Sequence, residues 1–185
     1  LDDNKKILKF ESSERLEELN PKNTLEKVGF KEGMILCDIG AGTGIFSFPA
    51  TEISRNEIFA LDISEDMIEL LTSRVREKNI ENLNIKKVVS EKLPLEDNIC
   101  DMAIMVTVLH EIENKAKMLN EISRVLKRNG KLMIIEFHKR KTPMGPPVEH
   151  RISEEEVKSL CKKNDLRTID KFSLGENFYG IVFQY

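Results

Sequence analysis

Apolar positions change period several times along the chain, and each change marks an element boundary. The first 30 residues are polar and helix-prone: Leu16 and Leu19 stand at helical spacing within Ser12 to Leu19, Pro21 interrupts, and Thr24 to Val28 gives another helical turn ending at Gly29. From Met34 to Ile39 a short apolar run predicts a strand, and a glycine-rich turn leads from it into a helix over Ile45 to Ser54. The alternation then repeats. Glu57 to Leu61 reads as a strand, and Ser64 opens a helix with Glu65 and Asp66 in its first turn and Met67, Ile68, Leu71 and Val75 on one face. Asn84 to Val89 is the next strand. Asp101 to Val108 is almost continuously apolar, as a central strand buried on both faces requires. Lys115 to Leu126 is amphipathic through Leu119, Ile122, Val125 and Leu126, and a strand over Lys131 to Phe137 follows the Asn129-Gly130 stop signal.

Strands alternating with helices imply a mostly parallel sheet with right-handed crossovers, hence a doubly wound α/β domain with helices on both faces. The chain is expected to form one domain over residues 1–185, with 1–30 as an N-terminal helical appendage. Its ending departs from the alternation. A Pro-rich loop, Thr142 to Pro147, precedes a helix with a capping box, Ser153 with Glu156, and then come two strand-like segments, Leu166 to Leu174 and Phe178 to Tyr185. Only Gly175-Glu-Asn177 separates them, so they should form a hairpin that makes the last strand antiparallel to its neighbour. Residues 139–152 are then expected to be a loop over the substrate site.

Composition narrows the classes. At 185 residues, 40% apolar and 33% charged, the chain has the make-up of a globular protein, not a disordered one. A formal charge of −3 gives no positive field for a polyanion, so nucleic acid is not an expected partner. Ala103 to Leu109 is the longest apolar-looking run, too short to span a bilayer, and no secretory leader is visible. Cys37, Cys100 and Cys161 are odd in number and set in apolar stretches, which suits buried thiols in a reducing compartment; a cytoplasmic protein is expected. The sequence begins at Leu1, so a processed or trimmed start is open.

The candidate chemistry starts at Asp38-Ile-Gly40-Ala-Gly42-Thr-Gly44, between the first strand and the first helix of the alternation. Glycines there remove Cβ atoms from the path of a ligand, and the helix start offers free N–H groups. A dinucleotide loop, G-x-G-x-x-G, would need glycine at position 45, where this chain has Ile45. That disfavours a nicotinamide oxidoreductase. Asp62, at the end of the second strand, is placed to accept hydrogen bonds from both hydroxyls of an unphosphorylated ribose.

In these motifs the sequence resembles the class I S-adenosylmethionine-dependent methyltransferases, particularly the ubiquinone/menaquinone-biosynthesis (type 11) group. The resemblance implies a Rossmann-like seven-stranded sheet, S-adenosyl-L-methionine as cofactor with S-adenosyl-L-homocysteine as product, and a small-molecule methyl acceptor. It implies that Asp38, Gly40, Ala41, Gly42 and Gly44 cradle the methionine part and that Asp62 holds the ribose. Ser90-Glu91-Lys92-Leu93 looks like the family's adenine loop, Glu91 lying nearest the amino group and apolar neighbours flanking the ring. Ile63, Met67 and Thr107 fall at further positions that the resemblance assigns to the cofactor. Asn98 to Ile112 and Glu121 to Leu132 match the family's fourth strand and the run from fourth helix to fifth strand. A cofactor-binding protein without turnover, acting as a sensor or partner subunit, is the alternative from another class.

Methyl transfer from a sulfonium needs alignment and exclusion of water more than it needs a protein nucleophile. An acceptor that must lose a proton needs a base, and His110, Glu111 and Glu136 stand at the strand ends on the cofactor edge of the sheet. His110 is the first choice, with Glu136 second; the other reading of His110 is a loop hydrogen bond at the start of a helix. Glu136 and His138, with His110 or His150, are too loosely spaced for a metal motif, so no metal is expected. Arg151 either binds an anionic group of the substrate or anchors the Pro-rich loop to Glu149 or Glu136. Asp101 is read as a backbone cap. Met102, Met105, Met118 and Met133 are read as packing. After the fourth strand the chain reads Val106-Thr-Val-Leu-His-Glu111, without the Asn-Pro-Pro-aromatic motif of nucleobase amino-methylating enzymes.

Overall fold

A computed structural model describes residues 3–90 and 92–185, and the side chains from residue 7 onward except that of residue 91. Three short helices open it: α1 (Asp3–Phe10), α2 (Ser13–Leu19) and α3 (Pro21–Lys27). Pro21 starts α3 where an interruption was expected, because a fixed φ and a missing N–H cost nothing at the first helical position. Asn20, at φ 37°, turns the chain between α2 and α3.

The alternating part follows as β1 (Leu36–Ile39), α4 (Ser47–Ile53), β2 (Ile58–Asp62), α5 (Glu65–Lys78), β3 (Leu83–Lys87), β4 (Cys100–Val106), α6 (Lys115–Val125) and β5 (Leu126–Phe137). Then come α7 (Glu154–Lys162), β6 (Arg167–Leu174) and β7 (Phe178–Gln184). The strands form one sheet in the order β3-β2-β1-β4-β5-β7-β6. β3 to β5 are mutually parallel, and β7 runs antiparallel to both β5 and β6. The hairpin is thus confirmed, and it is the returning strand, β7, that inserts beside β5 and leaves β6 at the edge. β5 begins earlier than Lys131: Leu126 already pairs with Cys100, and a register shift before Met102 pairs with Lys131 absorbs the Asn129-Gly130 turn.

Strand side chains alternate between two cores. On one face Cys37, Phe59, Leu61, Ala103, Met105, Leu132 and Ile134 pack with Leu119, Ile122 and Val125 of α6 and Val157 and Cys161 of α7. On the other, Leu36, Ile58, Met102, Ile104, Met133 and Ile135 meet Leu19, Leu25, Phe46, Ala50 and Leu71 from α2 to α5. Burial of side chains of this size contributes ~1.5–3 kcal/mol each, so both layers are held to the sheet by many independent contacts. The three cysteines are free and buried, and Met102, Met105 and Met133 lie in the cores as the pattern predicts. Asp101 accepts from the Ile35 N–H at 2.8 Å and from Lys127 Nζ at 2.9 Å, fixing the approach to β1. The capping box is present in full, with Ser153 N donating to Glu156 Oε2 and Glu156 N donating to Ser153 Oγ. Among the described residues no helix is long and apolar enough to cross a membrane.

Candidate active site

The C-terminal ends of β1, β2 and β4 open onto a cavity of about 1010 Å³. Its walls include Asp38, Gly40, Ala41, Gly42, Asp62 and Ile63. Met67, Ser90, Leu93, Thr107 and His110 also line it. Most of the cofactor residues expected from the sequence therefore meet around one space. Lys92 is exposed and is not among the lining residues; its N–H donates to Ser90 Oγ at 3.2 Å. Glu91 lies outside the described residues.

The three glycines turn out to have three different reasons. Gly42, at φ +55°, has open space where a Cβ would stand, the nearest atom being a Phe10 ring carbon at 3.9 Å. A Cβ on Gly40 would meet Val108 at 2.5 Å, so this glycine admits the loop after β4. A Cβ on Gly44 would meet Phe48 at 2.6 Å and Leu71 at 2.8 Å, and Gly44 does not line the cavity. The space its missing Cβ leaves is taken by helix packing behind the loop.

Two carboxylates face the glycine turn. Asp62 Oδ2 accepts from the Gly42 N–H at 2.8 Å and Oδ1 from the Ser64 N–H at 2.9 Å. Each oxygen keeps a further lone pair for another donor, which is what a ribose diol would supply. Asp38 accepts from Ser47 Oγ at 2.6 Å. Burial, with the Asp62 charge adding to it against the Ser47 hydrogen bonds, pushes the Asp38 carboxyl up to about 7. A cation arriving in the cavity would relieve that cost. At the rim, Ile63 and Val89 are 76% and 87% exposed and both line the cavity, so the structure leaves two large apolar side chains free to meet a ligand there. Val89 was missed in the sequence, where it reads as the end of a strand.

The loop after β3 is pinned from α6. Glu121 accepts from the Leu93 N–H at 2.9 Å, and Arg124 donates to the carbonyls of Leu93 and Leu95 while paired with Glu121 and Asp97. These contacts fix Leu93 against the cavity.

His110 and Glu136 are brought together from β4 and β5. The His110 Nδ1 lies 2.8 Å from Glu136 Oε2, and the His110 backbone N–H donates to Oε1 at 3.1 Å. A carboxylate that accepts at both oxygens favours the tautomer with the proton on Nδ1, leaving Nε2 as a base. Burial opposes the imidazolium, but the Glu136 hydrogen bond and charge, with Glu111 adding, hold the His110 pKa above the ordinary histidine value. A second cavity of about 920 Å³ shares His110, Glu111 and Pro146 with the first and continues toward α7. Among the described residues no cluster of three or more His, Cys, Asp or Glu is placed to hold a metal ion.

Arg151 anchors the Pro-rich loop. Its guanidinium donates to the carbonyls of Pro146, His138, Arg140 and Met144 and to Thr142 Oγ1, so the anchor uses backbone oxygens in place of Glu149 or Glu136. Gly145 and Pro146 of that loop line the first cavity. The N-terminal helices close the opposite side. Arg74 holds Glu11 and the Thr43 carbonyl, and the Glu18 carboxylate accepts from the backbone of Glu176 and Asn177 at the hairpin turn. Arg15, which no sequence motif marks, reaches from α2 to Thr107 Oγ1 at 2.8 Å.

This strand order, with β7 antiparallel between β5 and β6 and a glycine turn after β1, is the Rossmann-like fold of S-adenosylmethionine-dependent methyltransferases. The chain belongs to the methyltransferase domain family, which matches it over residues 30–182. A ubiquinone/menaquinone biosynthesis C-methyltransferase UbiE of Shewanella sp. (strain W3-18-1) is 30% identical over 121 residues, covering 64% of this chain and 48% of that protein. The chain spans about half the length of the curated relatives it matches. A SAM dependent methyltransferase from Aquifex aeolicus superposes with a TM-score of 0.91 at 29% identity, over 97% of each chain. The [4+2]-cyclase SpnF shares the fold with a TM-score of 0.79 at 17% identity, over 90% of this chain and 80% of that one. Such a fold therefore does not by itself dictate a reaction.

Proposed function

We propose that this protein transfers a methyl group from S-adenosyl-L-methionine to a small-molecule acceptor that gives up a proton to His110. One observation carries the reading: the cradle of Gly42, Asp62, Ile63 and Val89 lines the same cavity as His110, whose ring is held from behind by the buried Glu136 carboxylate. The residues fit the cofactor. Gly42 leaves room for backbone approach, Asp62 has lone pairs for the ribose, Asp38 lacks a cation, and Ile63 and Val89 offer apolar surface to a purine.

When bound, the cofactor supplies an electrophilic methyl group on sulfur and departs as S-adenosyl-L-homocysteine. Glu136 fixes the imidazole in the tautomer whose Nε2 can accept a proton, and its charge stabilises the imidazolium that results. The Pro-rich loop, stitched by Arg151, and the N-terminal helices wall the cavity through Gly145, Pro146, Phe10 and Arg15, and would shield a bound acceptor from water. The names of the UbiE relatives favour a carbon acceptor in a quinone precursor. A carbon next to a phenol or enol becomes nucleophilic when the hydroxyl loses its proton, which is the task His110 is set up to perform.

Titration calorimetry with S-adenosyl-L-methionine, S-adenosyl-L-homocysteine and NAD tests the cofactor. Selective binding of the sulfur nucleosides, weakened about 10- to 150-fold by Asp62→Asn, is expected from the loss of a charged hydrogen bond. Preference for NAD, or no binding by folded protein, refutes the reading.

A further inference from the structure

We infer that Arg15 binds an anionic oxygen group, a carboxylate or an enolate, of the ligand that fills the 1010 Å³ cavity. The inference rests on the methyltransferase reading for the identity of that ligand, not for the need of an anion. Arg15 stands on α2, outside the residues that the family model matches.

Arg15 is 8% exposed and lines the cavity together with Thr107, Phe137 and His110. A guanidinium presents a rigid fork of N–H donors. Of these, Nη2 donates to Thr107 Oγ1 at 2.8 Å, while Nε is buried with no partner. The guanidinium carbon stands 5.6 Å from the centre of the Phe137 ring and 5.3 Å from that of Phe178, so its flanks are aromatic and not acidic. Among the described residues no carboxylate forms an ion pair with it; Glu136 acts on it through space and is itself occupied by His110. Burial depresses the Arg15 pKa to about 10, Glu136 offsetting only part of the effect. A buried cation in this state is costly, and an apolar side chain of similar size would fill the space without that cost.

Backbone strain supports the same conclusion. Thr107, just past β4, has φ +57°, a region that β-branched residues rarely occupy. Its N–H is used by the Ile135 carbonyl at 2.7 Å, and its hydroxyl orients Arg15. Strain held at a cavity wall to position a cation with unused donors is the arrangement of an oxyanion receptor.

The anion can come from the amino-acid end of the cofactor or from the acceptor, and three probes separate them. Calorimetry is run on the wild type, Arg15→Gln and Arg15→Lys with S-adenosyl-L-homocysteine, with 5′-methylthioadenosine, which shares its nucleoside but has no carboxylate, and with 4-hydroxybenzoate in the presence of S-adenosyl-L-homocysteine. Weakening of S-adenosyl-L-homocysteine by about 10- to 100-fold in Arg15→Gln, with 5′-methylthioadenosine unchanged, supports the inference and assigns the anion to the cofactor. Both nucleosides unchanged but 4-hydroxybenzoate binding lost supports it and assigns the anion to the acceptor.

Nucleoside binding weakened equally for both probes overturns it and leaves Arg15 as packing, as does binding of all probes unchanged or unchanged nucleosides with no 4-hydroxybenzoate binding to lose. Arg15→Lys keeps the charge and loses the fork; a loss of about 3- to 10-fold for the same probe is expected, and it serves where a thermal melt shows Arg15→Gln unfolded. Wild-type protein that binds neither nucleoside refutes the methyltransferase reading; the Arg15 inference then stands on 4-hydroxybenzoate alone and falls if that fails to bind.

Discussion

Replacing Glu136 by Gln removes a buried charge while keeping the shape of the side chain, and the structure predicts what His110 does in response. In the wild type, Nδ1 is 2.8 Å from a carboxylate oxygen whose side chain is 1% exposed. A charge-assisted hydrogen bond of this kind contributes ~1.5–3 kcal/mol and favours the imidazolium, so the imidazole pKa falls when the charge is lost. Burial, the strongest opposing influence on His110, is left unbalanced in the variant and acts in the same direction. The chain has three histidines, so His110 can be followed by NMR titration of the imidazole signals, assigned with His138→Gln and His150→Gln controls. The expected result is a wild-type pKa above the ordinary histidine value, the neutral form protonated on Nδ1, and a marked drop in Glu136→Gln. The sign carries over to stability. A histidine whose pKa is raised by folding contributes stability that is complete at low pH and is lost as pH rises through the folded pKa. The stability gap between wild type and variant should therefore be widest in acid and narrow above that pKa. An unchanged or higher His110 pKa in Glu136→Gln, or a neutral wild-type ring protonated on Nε2, would refute the assignment of Nε2 as base.

Further outcomes follow from other parts of the site. Asp38, raised to about 7 by burial first and Asp62 second, must be ionised to meet a cation, so affinity for S-adenosyl-L-methionine should climb with pH up to about 7 and then level off; flat affinity across that range in calorimetry counts against the contact. In the ligand-free protein the same carboxyl binds its proton more tightly folded than unfolded, so its contribution to stability declines as pH rises from about 4 to about 7. Gly44→Ala should cost ~1–3 kcal/mol by chemical denaturation, because its Cβ would stand 2.6 Å from Phe48 at φ +84°. Gly42→Ala should cost ~1–2 kcal/mol in strain yet lose nucleoside binding, since its Cβ points into the open cavity. Arg151→Ala should destabilise by ~2–4 kcal/mol and expose the 139–152 segment to limited proteolysis, as four carbonyls and the Thr142 hydroxyl lose their donor; an unchanged melting temperature would show that the loop is held by something else.

What the sequence made legible is what local pattern controls. Alternating apolar runs placed β1 to β5 and their helices, the Ser153 and Glu156 pair marked the start of α7, and the short turn at Gly175 marked a hairpin. The glycine turn and Asp62 were visible because a short motif carries their geometry. The insertion of β7 beside β5 was not, since hairpin spacing is the same whichever strand lies inward. Nor was Arg15, whose partner Thr107 is 92 residues away; no periodicity encodes a contact made by docking one helix across a finished sheet. Gly44 adds a reason that its letter in the motif does not carry: Phe48 and Leu71 pack where its Cβ would stand.

The tie between α2 and the β6–β7 turn bears on the order in which the molecule is built. Glu18 accepts from the backbone of Glu176 and Asn177, Gly175 has no Cβ because Glu18 stands 2.2 Å from where one would be, and Asn177 also receives the Met144 N–H. Phe178, one wall of the Arg15 berth, comes from the same turn. During synthesis the glycine turn and Asp62 can assemble as soon as the first five strands have left the ribosome, whereas Arg15 has no place to dock until residue 178 has followed them. Nascent chains are then able to present an open cradle well before they possess its far wall, and the slowest step of maturation should be the meeting of the two most distant segments.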